Sequence, residues 1–110
     1  MALLVNKHAK GNRRELEARK QLENAGYLVE KKNYSRFSDK DFWNTFDIIA
    51  LKRDGSEIRL IQVKSNISDF YKARNEIEDW ILDNDVTNIK CEAWLREDRC
   101  PWRKETICLH

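Results

Sequence analysis

Three polar residues, Asp47, Gln62 and Lys64, interrupt a stretch that otherwise reads as two apolar strands, "FDIIALKRDGSEIRLIQVKSN" (residues 46–66). A buried charge needs a partner or a purpose. An acid, an amide and a lysine at one end of apolar strands are therefore candidates for a functional site built from oxygen and ammonium groups. The alternative is that Asp47 and Lys64 form an ion pair at a solvated strand end, where such pairs contribute little.

The Asp54-Gly55 pair predicts how the two strands align. Asp-Gly between alternating hydrophobic residues is the strongest short hairpin signal, because both central residues must accept positive φ. A two-residue turn places Asp47 opposite Gln62, and Lys64 shares the face of Gln62 because side chains alternate. We therefore expect the three polar groups to meet at one end of the hairpin. The same register pairs Lys52 with Glu57, Leu51 with Ile58, Ile49 with Leu60 and Ile48 with Ile61.

The remaining elements follow from periodicity and turn signals. Residues 11–26 form a helix, with Asn12 as N-cap and Gly26 just past its end, and residues 27–34 form a strand before a loop at 35–45. A second helix begins near Ser68, and strands follow at 88–97 and 102–109. The order αβββαββ predicts one α/β domain over residues 1–110, with a mixed central sheet flanked by a helix on each face. The second helix carries apolar residues at helical spacing: Phe70, Ala73, Ile77, Trp80 and Ile81.

Glu15 has two interpretations of equal weight. Glu15, Ala18, Leu22 and Ala25 lie on one stripe of the first helix, which places the acid at one end of an inward-facing row. The spacing from Asn12 to Glu15 is also that of a capping box, in which the acid would only accept a hydrogen bond from the backbone at the start of the helix.

Composition limits the class of protein. The chain has 110 residues, of which 41% are hydrophobic, so it makes one domain with a modest core. The opening "MALLV" is too short for a signal-peptide core, and no stretch approaches a membrane span. The three cysteines, Cys91, Cys100 and Cys108, lack zinc or redox spacing and are expected to be buried reduced thiols of a cytoplasmic protein.

Positive charge is concentrated in the first part of the chain. Residues 1–40 hold ten Lys and Arg against five Asp and Glu, although the formal net charge of the whole chain is only +2. Such a basic half is a candidate surface for a polyanion, but Lys and Arg are also common on any solvated helix.

Taken together, these residues resemble those of the PD-(D/E)xK, or restriction-endonuclease-like, nuclease superfamily. A glutamate on the first helix, "FDIIAL" and then "IQVKS" after a tight hairpin carry the resemblance. The short layout and the opening "KGNRRELEARKQLENAGYLV" are most similar to the archaeal Holliday junction resolvases and related small repair or viral nucleases. Phe46 stands where the family has a proline that often varies, and Gln62 stands where it has an acid.

The resemblance implies a metal-dependent endonuclease that hydrolyses DNA, with four catalytic residues: Glu15, Asp47, Gln62 and Lys64. Mg²⁺, with Mn²⁺ as a substitute, would be held by the carboxylates of Glu15 and Asp47, the amide of Gln62 and the carbonyl of Val63. Lys64 would orient the attacking water or offset developing charge. Because Gln62 removes one negative charge, metal affinity is expected to be lower than in the family.

Basic residues interleaved with aromatic ones precede the hairpin, in "KKNYSRFSDKDFW". Such a segment suits phosphate contacts and stacking on unpaired bases. The alternative is that Phe42 and Trp43 are core residues, and we favour it for Trp43. The expected DNA-binding residues are Lys10, Arg13, Arg14, Lys31, Lys32, Tyr34, Arg36, Lys40 and Ser65.

The substrate and the assembly stay open at this point. DNA, including branched DNA, is the expected partner, read by shape rather than by sequence. Core packing is the default explanation of the apolar face of the second helix. A surplus of that face would serve a homodimer, which the resemblance to the resolvases implies because one junction needs two symmetric cuts. Two other functions remain: a catalytically inactive DNA-binding subunit with this fold, and an RNA-directed nuclease, which the absence of a clear Tyr/His/Lys set disfavours.

Overall fold

Five strands and two helices make up the described part of the chain. A computed structural model describes residues 7–31, 42–43 and 45–108, with side chains from residue 11 onward. None of the described helices is long and apolar enough to cross a membrane. The elements are α1 (Lys7–Asn24), β1 (Tyr27–Lys31), β2 (Ile48–Lys52), β3 (Ile58–Lys64), α2 (Ile67–Asn84), β4 (Lys90–Leu95) and β5 (Arg103–Thr106).

The strands form one mixed sheet in the order β1-β2-β3-β4-β5. Neighbouring strands are antiparallel except for β3 and β4, which are parallel. A parallel pair requires a crossover connection, and α2 provides it. The predicted αβββαββ order and the mixed sheet are confirmed. The last two strands are shorter than expected, since β4 was predicted over 88–97 and β5 over 102–109, and the part of β1 predicted beyond Lys31 lies outside the described residues.

The register of the hairpin is confirmed, but the turn is not the expected one. Ile48 pairs with Ile61 and Leu51 with Ile58, and the backbone nitrogen of Lys52 donates to Glu57 at 2.9 Å. The chain then turns through residues 53–56. The backbone nitrogen of Gly55 donates to the carbonyl of Lys52, so Gly55 alone adopts a positive φ, of 77°. The two-residue turn was therefore wrong, while the alignment of the strands was right.

Helix α1 begins earlier than the sequence indicated. It starts at Lys7, so Asn12 lies inside the helix and is not its N-cap, and the capping box with Glu15 is wrong. Ala18 and Leu22 are buried as expected, and they pack against Ile48, Ala50, Ile61, Val63 and Trp94 on one face of the sheet. Ala25, expected in the same row, is exposed.

Helix α2 covers the opposite face of the sheet. Its N-cap is Asn66 rather than Ser68: Asn66 Oδ1 accepts from the backbone nitrogen of Asp69 at 2.9 Å, and the Ser68 hydroxyl donates to the same oxygen. An amide oxygen at this position satisfies a backbone donor of the first turn. The helix buries Phe70, Ala73, Ile77 and Ile81 against Phe46, Leu60, Cys91, Ala93 and Leu95. Both faces of the sheet are thus covered, as the apolar pattern of the hairpin predicted.

The cysteines differ in exposure. Cys91 is buried, and its burial raises the pKa of the thiol to about 11. Cys100 and Cys108 are exposed, so the expectation of three buried thiols was wrong for these two. All three are free thiols.

Candidate metal centre

Asp47 lies at the entrance of β2 and is held by β3. Only 3% of the residue is exposed. Its backbone nitrogen donates to the carbonyl of Ile61 at 2.9 Å, and its carboxylate Oδ2 accepts from the backbone nitrogen of Val63 at 2.8 Å. A hydrogen bond to an ionised acceptor is stronger than a neutral one. The hairpin register therefore fixes the carboxylate against the segment that carries Gln62 and Lys64.

Gln62 is the least satisfied polar group of this region. The residue is 3% exposed, and its Oε1 is buried without a hydrogen-bond partner. Its Nε2 donates to Oε2 of Glu76 in α2 at 3.4 Å, the long limit for such a bond. Buried polar atoms are nearly always paired, so an orphaned acceptor calls for an explanation. An oxygen that lacks a donor is suited to a cation.

Lys64 is half-buried at the end of β3, where its carbonyl accepts from the backbone nitrogen of Arg96. Within the part of the chain that the structure describes, no ion pair joins Lys64 to Asp47 or to another carboxylate. The alternative of a simple Asp47–Lys64 ion pair is therefore not what the structure contains.

Glu15 lies on α1. It borders a cleft of about 270 Å³ whose other walls are Asn12, Leu16, Arg19 and Lys31. Lys31 pairs with Ile48, the residue after Asp47, so the cleft lies at the same end of the sheet. The structure thus brings Asp47, Gln62 and Val63 together and lines a cleft at the same end of the sheet with Glu15 and Lys31.

Arg14 is buried and forms ion pairs within the protein instead of facing solvent. It is 6% exposed, and its guanidinium contacts Glu17 at 3.0 Å and Asp98 at 2.8 Å. This links α1 to the turn after β4. The partners occupy the groups that a phosphate would need, so the expected DNA contact of Arg14 is not favoured by its surroundings.

The other expected DNA-binding residues divide into two sets. Arg13 and Lys31 are exposed and Ser65 is half-buried. Lys32, Tyr34, Arg36, Lys40 and the side chain of Lys10 lie outside the described residues.

Trp43 was expected in the core and is not there. It is 60% exposed, with its ring 5.5 Å from that of Trp80. Trp80 in turn packs edge-on against Phe46, the neighbour of Asp47. The interpretation of Trp43 as a core residue was wrong: the exposed indole packs on the half-buried Trp80, which in turn contacts the buried Phe46 beside Asp47. Phe42, by contrast, packs against the core as a half-buried residue.

The donor set fits a hard cation. Among the residues described, no three His, Cys, Asp or Glu side chains form a metal-binding group. An amide is not one of these types, however, and Mg²⁺ accepts neutral oxygens beside one or two carboxylates. Asp47 offers a carboxylate, and the orphaned Oε1 of Gln62 offers a buried neutral oxygen. The residues present therefore fit the magnesium site that the resemblance implied.

Glu76, which contacts the amide of Gln62, was not expected near this site from the sequence. It follows Ala73 by three positions and precedes Ile77, two residues that α2 buries. That spacing places an acid at the border of the buried stripe and was the available signal. The strand that Glu76 faces could not be read from the helix pattern.

Comparison with solved structures identifies a similar fold. The Holliday junction resolvase Hjc of Archaeoglobus fulgidus, an archaeal hyperthermophile, superposes with a TM-score of 0.57. The two chains are 17% identical, and the match covers 89% of this chain and 73% of the other. No family model and no curated protein matches the sequence. At this identity the likeness concerns the fold alone, a mixed five-stranded sheet with two helices as in the resolvase, and it confirms the fold that the motifs indicated.

Proposed function

We propose that this chain, which has the fold of the archaeal Holliday junction resolvases, is a Mg²⁺-dependent endonuclease that hydrolyses phosphodiester bonds of DNA. The observation that carries the proposal is the buried pair at the hairpin end. Asp47 is bonded to the backbone of Val63, and the next residue back, Gln62, leaves an oxygen without a donor. A fold can serve many functions, so the activity is inferred from these site residues rather than from the fold.

Each residue of the site has a definite task in this proposal. The Asp47 carboxylate, the Gln62 amide oxygen and the Val63 carbonyl would hold the metal. The metal would supply an activated water and polarise the phosphoryl group. Lys64, which is half-buried and forms no ion pair among the described residues, would orient that water or offset the charge that develops on the phosphate.

The surface around the site suits a nucleic acid. Glu15 and Lys31 border the cleft at the same end of the sheet as Asp47, and Arg13 is exposed on α1. We propose that Lys31 and Arg13 contact phosphates, which position the substrate without reading its sequence. Trp43 offers an exposed indole on which an unpaired base can stack. Exposed stacking near the site favours branched or single-stranded DNA over plain duplex.

We also propose a homodimer, but its contact surface is on the sheet instead of on α2. Phe70, Ala73, Ile77 and Ile81 of α2 are used in the core and are not available to a partner, whereas Tyr71 and Leu82 of the same helix are exposed. Leu28 pairs with Leu51, and Leu51 with Ile58, so these three exposed side chains form one apolar row across β1, β2 and β3. A self-complementary row of this kind suits a twofold contact.

To test this proposal, the purified protein is incubated with four-way junction, flap, single-stranded and linear duplex DNA in parallel, each with Mg²⁺ and with EDTA, and nicking is measured. We expect Mg²⁺-dependent nicking and none in EDTA, with Mn²⁺ as an effective substitute. Paired symmetric nicks in the junction alone select resolvase activity. Binding without cleavage in either metal supports the inactive DNA-binding subunit instead.

A further inference from the structure

Helix α2 places a carboxylate beside the position where this chain lacks one. Members of the nuclease family that this chain resembles carry an acid where this chain has Gln62. Here Oε2 of Glu76 lies 3.4 Å from Nε2 of that amide. The negative charge missing from β3 is therefore present on the neighbouring helix, next to the same side chain.

We propose that Glu76 is the second carboxylate of the metal centre and acts in place of the acid that position 62 lacks. The inference rests on the proposed function, because it assigns a ligand to that same site. Glu76 replaces Glu15 in this role, and Glu15 instead faces the cleft on the other helix, with Lys31.

The contact between Glu76 and Gln62 is not an optimised structural bond. A hydrogen bond between an amide and a carboxylate is normally about 2.7–3.0 Å long, whereas this one is 3.4 Å. The other end of the amide, Oε1, is buried with no partner. A purely structural Gln62 would be expected to satisfy its oxygen. Turning the amide over by 180° would exchange Nε2 and Oε1, and the two oxygens that then face each other, one from Gln62 and one from Glu76, would need a cation between them.

The surroundings of Glu76 suit a partly hydrated ion. Its neighbours in the helix, Ala73 and Ile77, are buried against the sheet, and this anchors the backbone. Glu76 itself is exposed, so its carboxylate borders both the buried amide and solvent. Mg²⁺ keeps several of its waters and takes only one or two carboxylates from a protein. Asp47, which is buried, and Glu76, which is exposed, would supply the two carboxylates and leave the solvent side to water.

The decisive measurement is the affinity for Mn²⁺ alone, without DNA, by calorimetric titration and by the metal-induced rise of Tm. Glu76→Gln keeps the size and the amide contact but removes the charge. We expect affinity to fall by at least about 10- to 100-fold, the range seen when groups that only support a metal ligand are removed. Glu78→Gln is the matched control, because it removes the same charge from an exposed position of the same helix. It should leave affinity within about twofold of the wild type, since exposed charges act weakly at a distance.

A double variant in which the acid and the amide exchange positions separates the loss of a metal ligand from a loss of folding. Gln62→Glu combined with Glu76→Gln moves the charge back to β3 and should restore affinity to near the wild-type value. The concentration of Mg²⁺ needed for half-maximal DNA nicking should follow the same order. An equal loss in Glu76→Gln and Glu78→Gln, or no rescue in the swap, overturns the role of Glu76.

The outcomes also separate this inference from the function on which it rests. If Asp47→Asn loses Mn²⁺ affinity while Glu76→Gln keeps it, the metal centre stands and Glu76 is not its ligand. If Glu15→Gln shows the loss instead, the second carboxylate comes from α1. If the wild type and Gln62→Glu neither bind Mn²⁺ nor cut DNA, the proposed function and this inference fall together.

Discussion

Replacing Asp47 in two ways separates its chemistry from its part in the fold. Asp47 is 3% exposed, and its Oδ2 accepts from the backbone nitrogen of Val63 at 2.8 Å. Asp47→Asn removes the charge but retains an oxygen that accepts the same bond. Asp47→Ala removes both and leaves a buried backbone donor without this partner.

The hydrogen bond between Asp47 and Val63 makes a stability contribution that can be worked out by itself. A hydrogen bond to a charged group contributes about 1.5–3 kcal/mol and a neutral one about 0.5–1.5 kcal/mol, so Asp47→Asn should lower the free energy of unfolding by about 1 kcal/mol. An unsatisfied buried donor costs about 1–3 kcal/mol, so the loss in Asp47→Ala should be about 2–3 kcal/mol.

The activity cost should be large in both variants. Metal polarisation contributes several kcal/mol to the transition state, and each 1.4 kcal/mol or so is a factor of ten in rate. Loss of the metal carboxylate should therefore slow nicking by about 10³-fold or more in Asp47→Asn as well as in Asp47→Ala. DNA affinity should change little, because the loss falls on the transition state.

The assay combines urea unfolding, single-turnover nicking with Mg²⁺ and DNA binding in EDTA. Asp83→Asn, at an exposed position of α2, is the matched control and should match the wild type in all three. The reasoning is refuted if Asp47→Asn nicks DNA within a few-fold of the wild type. It is equally refuted if both Asp47 variants lose activity only in proportion to unfolding.

Four further outcomes are expected. Lys31→Ala should weaken DNA binding and lower its salt slope by about one, whereas Lys52→Ala, at the far end of the hairpin, should not; equal slopes contradict the phosphate contact. Trp43→Ala should weaken binding to single-stranded DNA by about 1–3 kcal/mol and leave duplex binding unchanged, and a uniform loss argues against stacking. Leu51→Glu should convert a dimer to a monomer in sedimentation, and an unchanged mass removes the apolar row from the interface. Because burial raises the pKa of Cys91 to about 11, that thiol stays protonated at pH 8, so a thiol reagent should titrate two cysteines in the native protein and the third only on unfolding.

The register of the hairpin could be predicted because several independent signals agreed. The Asp54-Gly55 turn, the apolar pairs and the period-two alternation all indicated one alignment, and a slip by one residue would have exposed an apolar face. The predicted turn type was wrong, but the strand register was still correct, because the four-residue turn keeps Ile48 opposite Ile61.

Helix starts and solvent exposure were harder to predict from the sequence. Asn12, Asn66 and Ser68 are all residue types that cap helices, and only the backbone geometry selects Asn66. Trp43 has the size and hydrophobicity of a core residue, yet it is held on the surface by its contact with Trp80.

Tertiary contacts account for the rest of the site. The sequence indicated Asp47 and Gln62 because both interrupt apolar strands. It could not indicate Glu76, because the rotation of α2 over β3 determines which helical acid reaches the amide. Nor could it separate Arg14 from Arg13, two adjacent arginines of which one is buried against Asp98 and the other is exposed.

The central claim is a metal centre at the end of the hairpin, and the most direct measurement is the anomalous scattering of Mn²⁺ in crystals of the wild-type protein. The account predicts a peak at bonding distance, about 2.1 Å for a small hard cation, from the carboxylate of Asp47 and the Oε1 of Gln62. Crystals with Mn²⁺ bound only elsewhere, or with Oε1 of Gln62 hydrogen-bonded to a protein donor at saturating Mn²⁺, would contradict it.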